Sequence, residues 1–204
     1  MNMRTLSEKD HQRLIQFYGS ALAVYGPDNP KAFHWITVRD QLARFENLAA
    51  IGDLSGCSVA DIGCGAGDLY YFLLKHFTGV RYLGIDVVPA MIDAARKKYP
   101  EAEFQVSDIF SISRAFDYYL ASGALTFNIA GGKAYYYDMI RTMYQKAARG
   151  VAFNMLDNSV HSSDDRYLAY SWHEVREVCS ELTRDYKIVS GYDTGDFTVW
   201  MHKQ

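Results

Sequence analysis

Cysteine is scarce in this chain. Cys57, Cys64 and Cys179 are scattered, with no C-x-x-C spacing, so neither a disulfide framework nor a zinc site is indicated. Long apolar runs are missing as well, and none approaches the length that spans a bilayer. The opening residues, from Met1 to Asp10, contain no apolar signal core. These absences together lead us to expect a reduced, cytoplasmic protein. Excess charge of one sign is also lacking: 21 Lys and Arg face 24 Asp and Glu, a net charge of -3. That balance argues against a nucleic-acid partner held by a broad basic surface. It leaves the oligomeric state open.

What the chain does have is 204 residues with 49% hydrophobic side chains, enough for one domain with a full three-layer core. Aromatic residues reach 15%, and the 16 tyrosines concentrate near the N-terminus and after residue 118. They suit either the rim of a core or a pocket for a flat, partly polar substrate.

Thr5-Leu6-Ser7-Glu8 can open a helix with Leu14, Ile15, Phe17, Tyr18 and Leu22 on one face, and Gly26-Pro27-Asp28-Asn29-Pro30 breaks it. A second amphipathic helix is expected from about Val38 to Ala50. Residues 1–50 would then form a helical cover on a core spanning 58–204. Within that core, strands are expected over 58–62, 82–86, 103–106, 116–121, 150–155, 186–192 and 197–202. Helices are expected over 68–77, 89–99, 133–148 and 172–182. This alternation predicts a mostly parallel α/β sheet. The short Asp193-Thr194-Gly195-Asp196 connection makes the last strand antiparallel.

The chemistry gathers at strand ends. Asp61-Ile62-Gly63-Cys64-Gly65-Ala66-Gly67 forms a strand-to-helix turn where glycines permit positive φ and close approach of a ligand. A dinucleotide site needs G-x-G-x-x-G. Here the spacing is G-x-G-x-G and Asp68 occupies the place of that third glycine, which disfavours a pyrophosphate. Asp86 closes the next strand about twenty residues on, where a carboxylate can bind both ribose hydroxyls. It can equally cap the helix starting at Pro89. Asp108, after the third strand, can accept from an adenine amino group or serve as a polar strand end.

In order and spacing, ADIGCGAGDL, YLGID, FQVSDIF and FDYYLASGALTFN resemble the class I S-adenosylmethionine-dependent methyltransferases. The resemblance implies a three-layer, Rossmann-like, seven-stranded sheet with S-adenosylmethionine as cofactor and S-adenosylhomocysteine as product. It places Gly63, Gly65 and Gly67 under the methionine and ribose, and Asp61 toward the methionine amino group. Asp86 would bind ribose, with Val87 on the adenine face. Asp108 and Ile109 would read adenine, while Ala121 and Ser122 lie at the amino-acid end. Arg44 is weighed two ways, as a partner for the methionine carboxylate or as a solvated arginine near Glu46.

Missing signatures narrow the acceptor. Ala121-Ser122-Gly123-Ala124 replaces the Asn/Asp-Pro-Pro-Tyr/Phe signature of exocyclic and amide nitrogen methylation. No Pro-Cys pair or magnesium-type carboxylate cluster appears either. A small-molecule N, O or C nucleophile is the expected acceptor, with no metal. The candidate catalytic residues are His173, His34 and Tyr18, and Cys64 is not read as a nucleophile. The polar segment 157–171 suits a mobile lid or a plain surface loop. Two other readings stand beside this one: a non-catalytic S-adenosylmethionine-binding protein, and a dinucleotide-dependent oxidoreductase.

Overall fold

The computed structural model describes residues 6–35, 37–192 and 195–203. The signal-segment reading over residues 1–5, the Thr5 start of the first helix and the hairpin residues Asp193 and Thr194 therefore lie outside the described residues.

The N-terminal region is helix α1 (Glu8–Tyr25), a short 3-10 helix (Pro30–Phe33) and helix α2 (Val38–Ala49). Their starts follow from capping chemistry. The Ser7 hydroxyl accepts the Asp10 N–H, and Thr37 with Asp40 closes a reciprocal capping box. Strand β1 (Ser58–Ile62) then leads through the glycine turn into α3 (Asp68–His76). β2 (Arg81–Asp86), α4 (Pro89–Lys98) and β3 (Glu103–Val106) follow. After these come β4 (Phe116–Ala121), α5 (Gly132–Lys146) and β5 (Ala147–Leu156). The chain finishes with α6 (Trp172–Leu182), β6 (Tyr186–Ser190) and β7 (Asp196–His202).

All seven strands join one sheet in the order β3-β2-β1-β4-β5-β7-β6. Strands β1 to β5 pair in parallel, while β7 inserts between β5 and β6 and runs antiparallel to both. Apolar side chains cover both faces. Met143, Ile140, Val175 and Cys179 pack one side, and Phe45, Leu48, Leu73 and Ile92 pack the other. The expected α/β class and strand count hold. β5 is longer than its apolar stretch suggests, because Ala147 already pairs with Phe116 across a register shift. β6 stops at Ser190, short of the expected Tyr192.

The order of connections positions the site. From β1 the chain moves outward to β2 and β3, then crosses back to β4 on the other side of β1. Such a reversal leaves a crevice at the carboxyl ends of β1 and β4, where open α/β sheets bind ligands.

Candidate active site

A cavity with about 1090 Å³ of free space, its open mouth included, occupies that crevice. Its floor is the turn after β1. The Gly63 and Cys64 N–H groups both donate to the Ile85 carbonyl, at 2.8 and 3.0 Å, which ties the turn to β2. Gly63 has φ 72°, and a Cβ there would lie 2.5 Å from the Ala124 Cβ. No other residue fits this close crossing of two loops.

Asp61 is buried at the end of β1, and the Tyr82 hydroxyl donates to its Oδ2 at 2.6 Å. Burial pushes its pKa up to about 7 against the Tyr82 hydrogen bond, with Asp86 and Asp68 adding to the rise. Asp86 is fixed at the end of β2: Oδ2 accepts the Gly65 N–H at 3.0 Å and Oδ1 accepts the Val88 N–H at 2.9 Å. Burial raises its pKa too, partly offset by those amides. Each carboxylate oxygen keeps a lone pair for a further donor. Helix capping and ligand binding are therefore compatible at Asp86. Asp108 accepts the Ser111 N–H at 2.8 Å through Oδ1.

Ser122, after β4, lines the cavity, and its buried Oγ has no hydrogen-bond partner. Buried hydroxyls are normally paired, so this one marks where a ligand group belongs. The N-terminal helices supply the opposite wall through Leu14, Tyr18, Phe33, Trp35, Gln41 and Phe45.

Of the residues expected to hold the cofactor, Asp61, Gly63, Gly65, Asp86, Val87, Asp108, Ile109 and Ser122 all line this one cavity. Gly67 does not. It caps α3 at φ 83°, and a Cβ there would strike the Phe104 ring at 2.8 Å. Arg44 does not either. Its guanidinium donates through Nε to the Asp196 carboxylate and through Nη1 to the Asp40 carbonyl at 3.1 Å. It stacks 4.3 Å from the Trp35 ring centroid, so it reaches the cavity only through that ring. Its burial excludes the solvated reading, and the carboxylate it meets in this structure is that of Asp196 on β7.

The catalytic candidates separate in the same way. The Tyr18 ring faces the cavity, and burial holds its phenol protonated. His34 is exposed and stacks on Phe17 at 4.0 Å, with burial of part of its ring lowering its pKa. His173 sits in the first turn of α6, exposed and stacked on Trp172. Cys64 lines the cavity, and burial raises its thiol well above the ordinary range, so the thiolate is scarce. Segment 157–171 is tied down: the Leu168 N–H donates to the Thr126 carbonyl and the Asn158 N–H to the Tyr170 carbonyl. Among the described residues, no group of three or more His, Cys, Asp or Glu could hold a metal ion.

The comparisons agree with this geometry. The sequence profile of a methyltransferase domain matches residues 59–151, from β1 into β5. Residues 59–151 are thus similar to a methyltransferase domain. A trans-aconitate 2-methyltransferase of Paracidovorax citrulli is 41% identical over 64 residues, 31% of this chain and 25% of that protein. One of an Enterobacter species is 36% identical over 78 residues, 37% of this chain and 30% of that protein. The matched segments thus span little more than a quarter of those relatives.

Solved structures extend the likeness to the whole fold. An N-methyltransferase of Bradyrhizobium japonicum, in complex with S-adenosylhomocysteine, superposes with TM-score 0.67 at 18% identity, covering 92% of this chain and 97% of its own. A magnesium protoporphyrin IX methyltransferase of Synechocystis, with bound S-adenosylmethionine, gives TM-score 0.61 at 16% identity, covering 97% and 92%. The methyltransferase-domain likeness covers the glycine turn and the three strand-end acids. It does not account for Tyr135, Tyr136 and Met139 of α5, which also line the cavity. Their spacing on one helical face was the available signal.

Proposed function

We propose that this protein transfers a methyl group from S-adenosylmethionine to an N, O or C nucleophile of a small molecule. The observation that carries the reading is the convergence of Asp61, Asp86, Asp108 and the unpaired Ser122 Oγ on one cavity at the β1/β4 reversal. This donor and acceptor set fits the cofactor. Asp61 would take the amino group, Asp86 the ribose hydroxyls, Asp108 with Ile109 the adenine, and Ser122 the amino-acid end. The cofactor supplies a sulfonium-bound methyl group that is already activated by charge.

The chain's own residues then have to hold the acceptor in line and keep water out. Such positioning can contribute roughly 7–11 kcal/mol. Among the described residues that line the cavity there is no histidine or lysine to act as a base, in keeping with catalysis by placement. The N-terminal helices would serve as the cover, since α1 and α2 carry Leu14, Tyr18, Gln41 and Phe45 into the wall. One domain over 1–204 and residence in the cytoplasm, where three free cysteines persist reduced, belong to the same reading.

The test is equilibrium titration with S-adenosylhomocysteine and with NAD, followed by label transfer from methyl-labelled cofactor to a metabolite pool. Tight binding of the first ligand and of no dinucleotide is expected, with label appearing in a small-molecule product. Dinucleotide binding instead would refute the reading, and cofactor binding without any transfer would leave a binding protein.

A further inference from the structure

Besides the strand-end residues that would hold the cofactor, the cavity is lined by Leu14, Tyr18, Trp35, Phe127, Tyr136 and Met139. The rings belong to separate elements that meet here. Tyr18 of α1 lies 6.0 Å from Phe127, centroid to centroid, and the Tyr136 hydroxyl of α5 donates to the Phe127 carbonyl at 2.6 Å. That bond leaves Tyr136 offering its ring rather than its hydroxyl. The Tyr18 phenol, held protonated, adds a neutral polar tip.

The charge on the lining has one sign. Asp61, Asp68, Asp86 and Asp108 are carboxylates, and no Lys, Arg or His is among the described residues that line the cavity. The cations just outside are already engaged. Arg13 donates to Asp10 and to the carbonyls of Asn128 and Asp165. Arg44 is held by Asp196, and Lys98 bridges Asp28 and Asp68. Lys146 donates to the Ile109 and Ile112 carbonyls. A polycarboxylate entering this space would lose its hydration without gaining a counter-charge, which is expensive in a low-dielectric site. The cofactor's own carboxylate differs, because it arrives beside its ammonium group.

We infer that the methyl acceptor is an uncharged aromatic molecule bearing one hydroxyl or amino group, and not a polycarboxylate of the kind named for the trans-aconitate 2-methyltransferases that match part of this chain. The inference rests on the methyltransferase reading. In the transfer, a lone pair on the acceptor's oxygen or nitrogen forms the new bond to the methyl carbon. The carbon–sulfur bond breaks with its electrons going to sulfur, and the acceptor's proton leaves to bulk solvent through the cavity's open mouth. Aromatic walls favour a π-bearing acceptor through stacking and edge contacts, each adding to burial.

The experiment is a two-stage titration. S-adenosylhomocysteine is titrated first, and failure at that stage overturns the cofactor reading itself and the inference with it. The saturated protein is then titrated with 2-naphthol, 5-hydroxyindole and trans-aconitate. At least one neutral aromatic should bind ten-fold or more tightly than trans-aconitate, and Phe127→Leu should weaken it several-fold. Leu14→Ala serves as a second probe of the same wall should Phe127→Leu not fold. Trans-aconitate binding as tightly as the aromatics, or aromatics failing to bind the saturated protein, would overturn the inference.

Discussion

Tyr82 and Asp61 form a buried pair across β1 and β2, the phenol donating to the carboxylate over 2.6 Å. The Asp61 pKa of about 7 lies above its ordinary value of 3.8, chiefly through burial. The folded state therefore holds the proton where the unfolded chain has released it. The stability this contributes is fully present below about pH 4 and is lost as pH rises to about 7. Asp61→Asn should remove that fall. Denaturant unfolding at pH 5 and pH 8 should show the variant gaining on the parent chain as pH rises, and an unchanged difference would refute the raised pKa.

The same proton bears on ligand binding. An amino group is best received by ionised Asp61, so below pH 7 the proton must first leave. Affinity for S-adenosylhomocysteine should fall by up to about ten-fold per pH unit below that point, following about 1.4 kcal/mol per unit. Titration calorimetry from pH 5.5 to 8 measures this. Asp61→Asn should bind more weakly at pH 8 and with a flatter profile.

Asp86 joins two backbone amides to the expected ribose site. Hydrogen bonds to a charged group contribute about 1.5–3 kcal/mol each. Asp86→Ala should weaken S-adenosylhomocysteine binding by roughly ten- to hundred-fold or more, since that range converts at about 1.4 kcal/mol per decade. Asp86→Asn retains one carbonyl acceptor and should recover part of the loss. Equal losses in the two variants would remove Asp86 from the ribose role.

These acids were legible in the sequence for a physical reason. A parallel strand is an apolar run, and a carboxylate at its end stands out against the run and the turn that follows. Strand count was readable from the alternation of strands and helices, and the antiparallel last strand from the short connection before it. Arg44 was not legible. Its partner Asp196 is on β7, far along the chain, and a helix-face arginine looks the same whether it meets solvent or a buried acid. The acceptor wall was hidden likewise, since Tyr18, Phe127 and Tyr136 meet only once α1, the loop after β4 and α5 have packed.

Arg44 yields the last prediction. Both side chains of its pair are almost fully buried, at 6% and 3% exposure, and one Asp196 oxygen has no partner. Burial raises the Asp196 pKa and Arg44 opposes that rise, so the aspartate depends on the guanidinium to stay ionised. Removing one member of such a pair leaves an uncompensated buried charge, at a cost of about 3–5 kcal/mol. Arg44→Leu should therefore be strongly destabilised in denaturant unfolding. Replacing both members with apolar residues can be neutral. The double variant Arg44→Leu/Asp196→Leu should accordingly recover most of the loss. Recovery would assign the pair a packing role beside Trp35. A double variant as unstable as the single one would mean that Arg44 holds something other than Asp196, and the cofactor carboxylate would return as its partner.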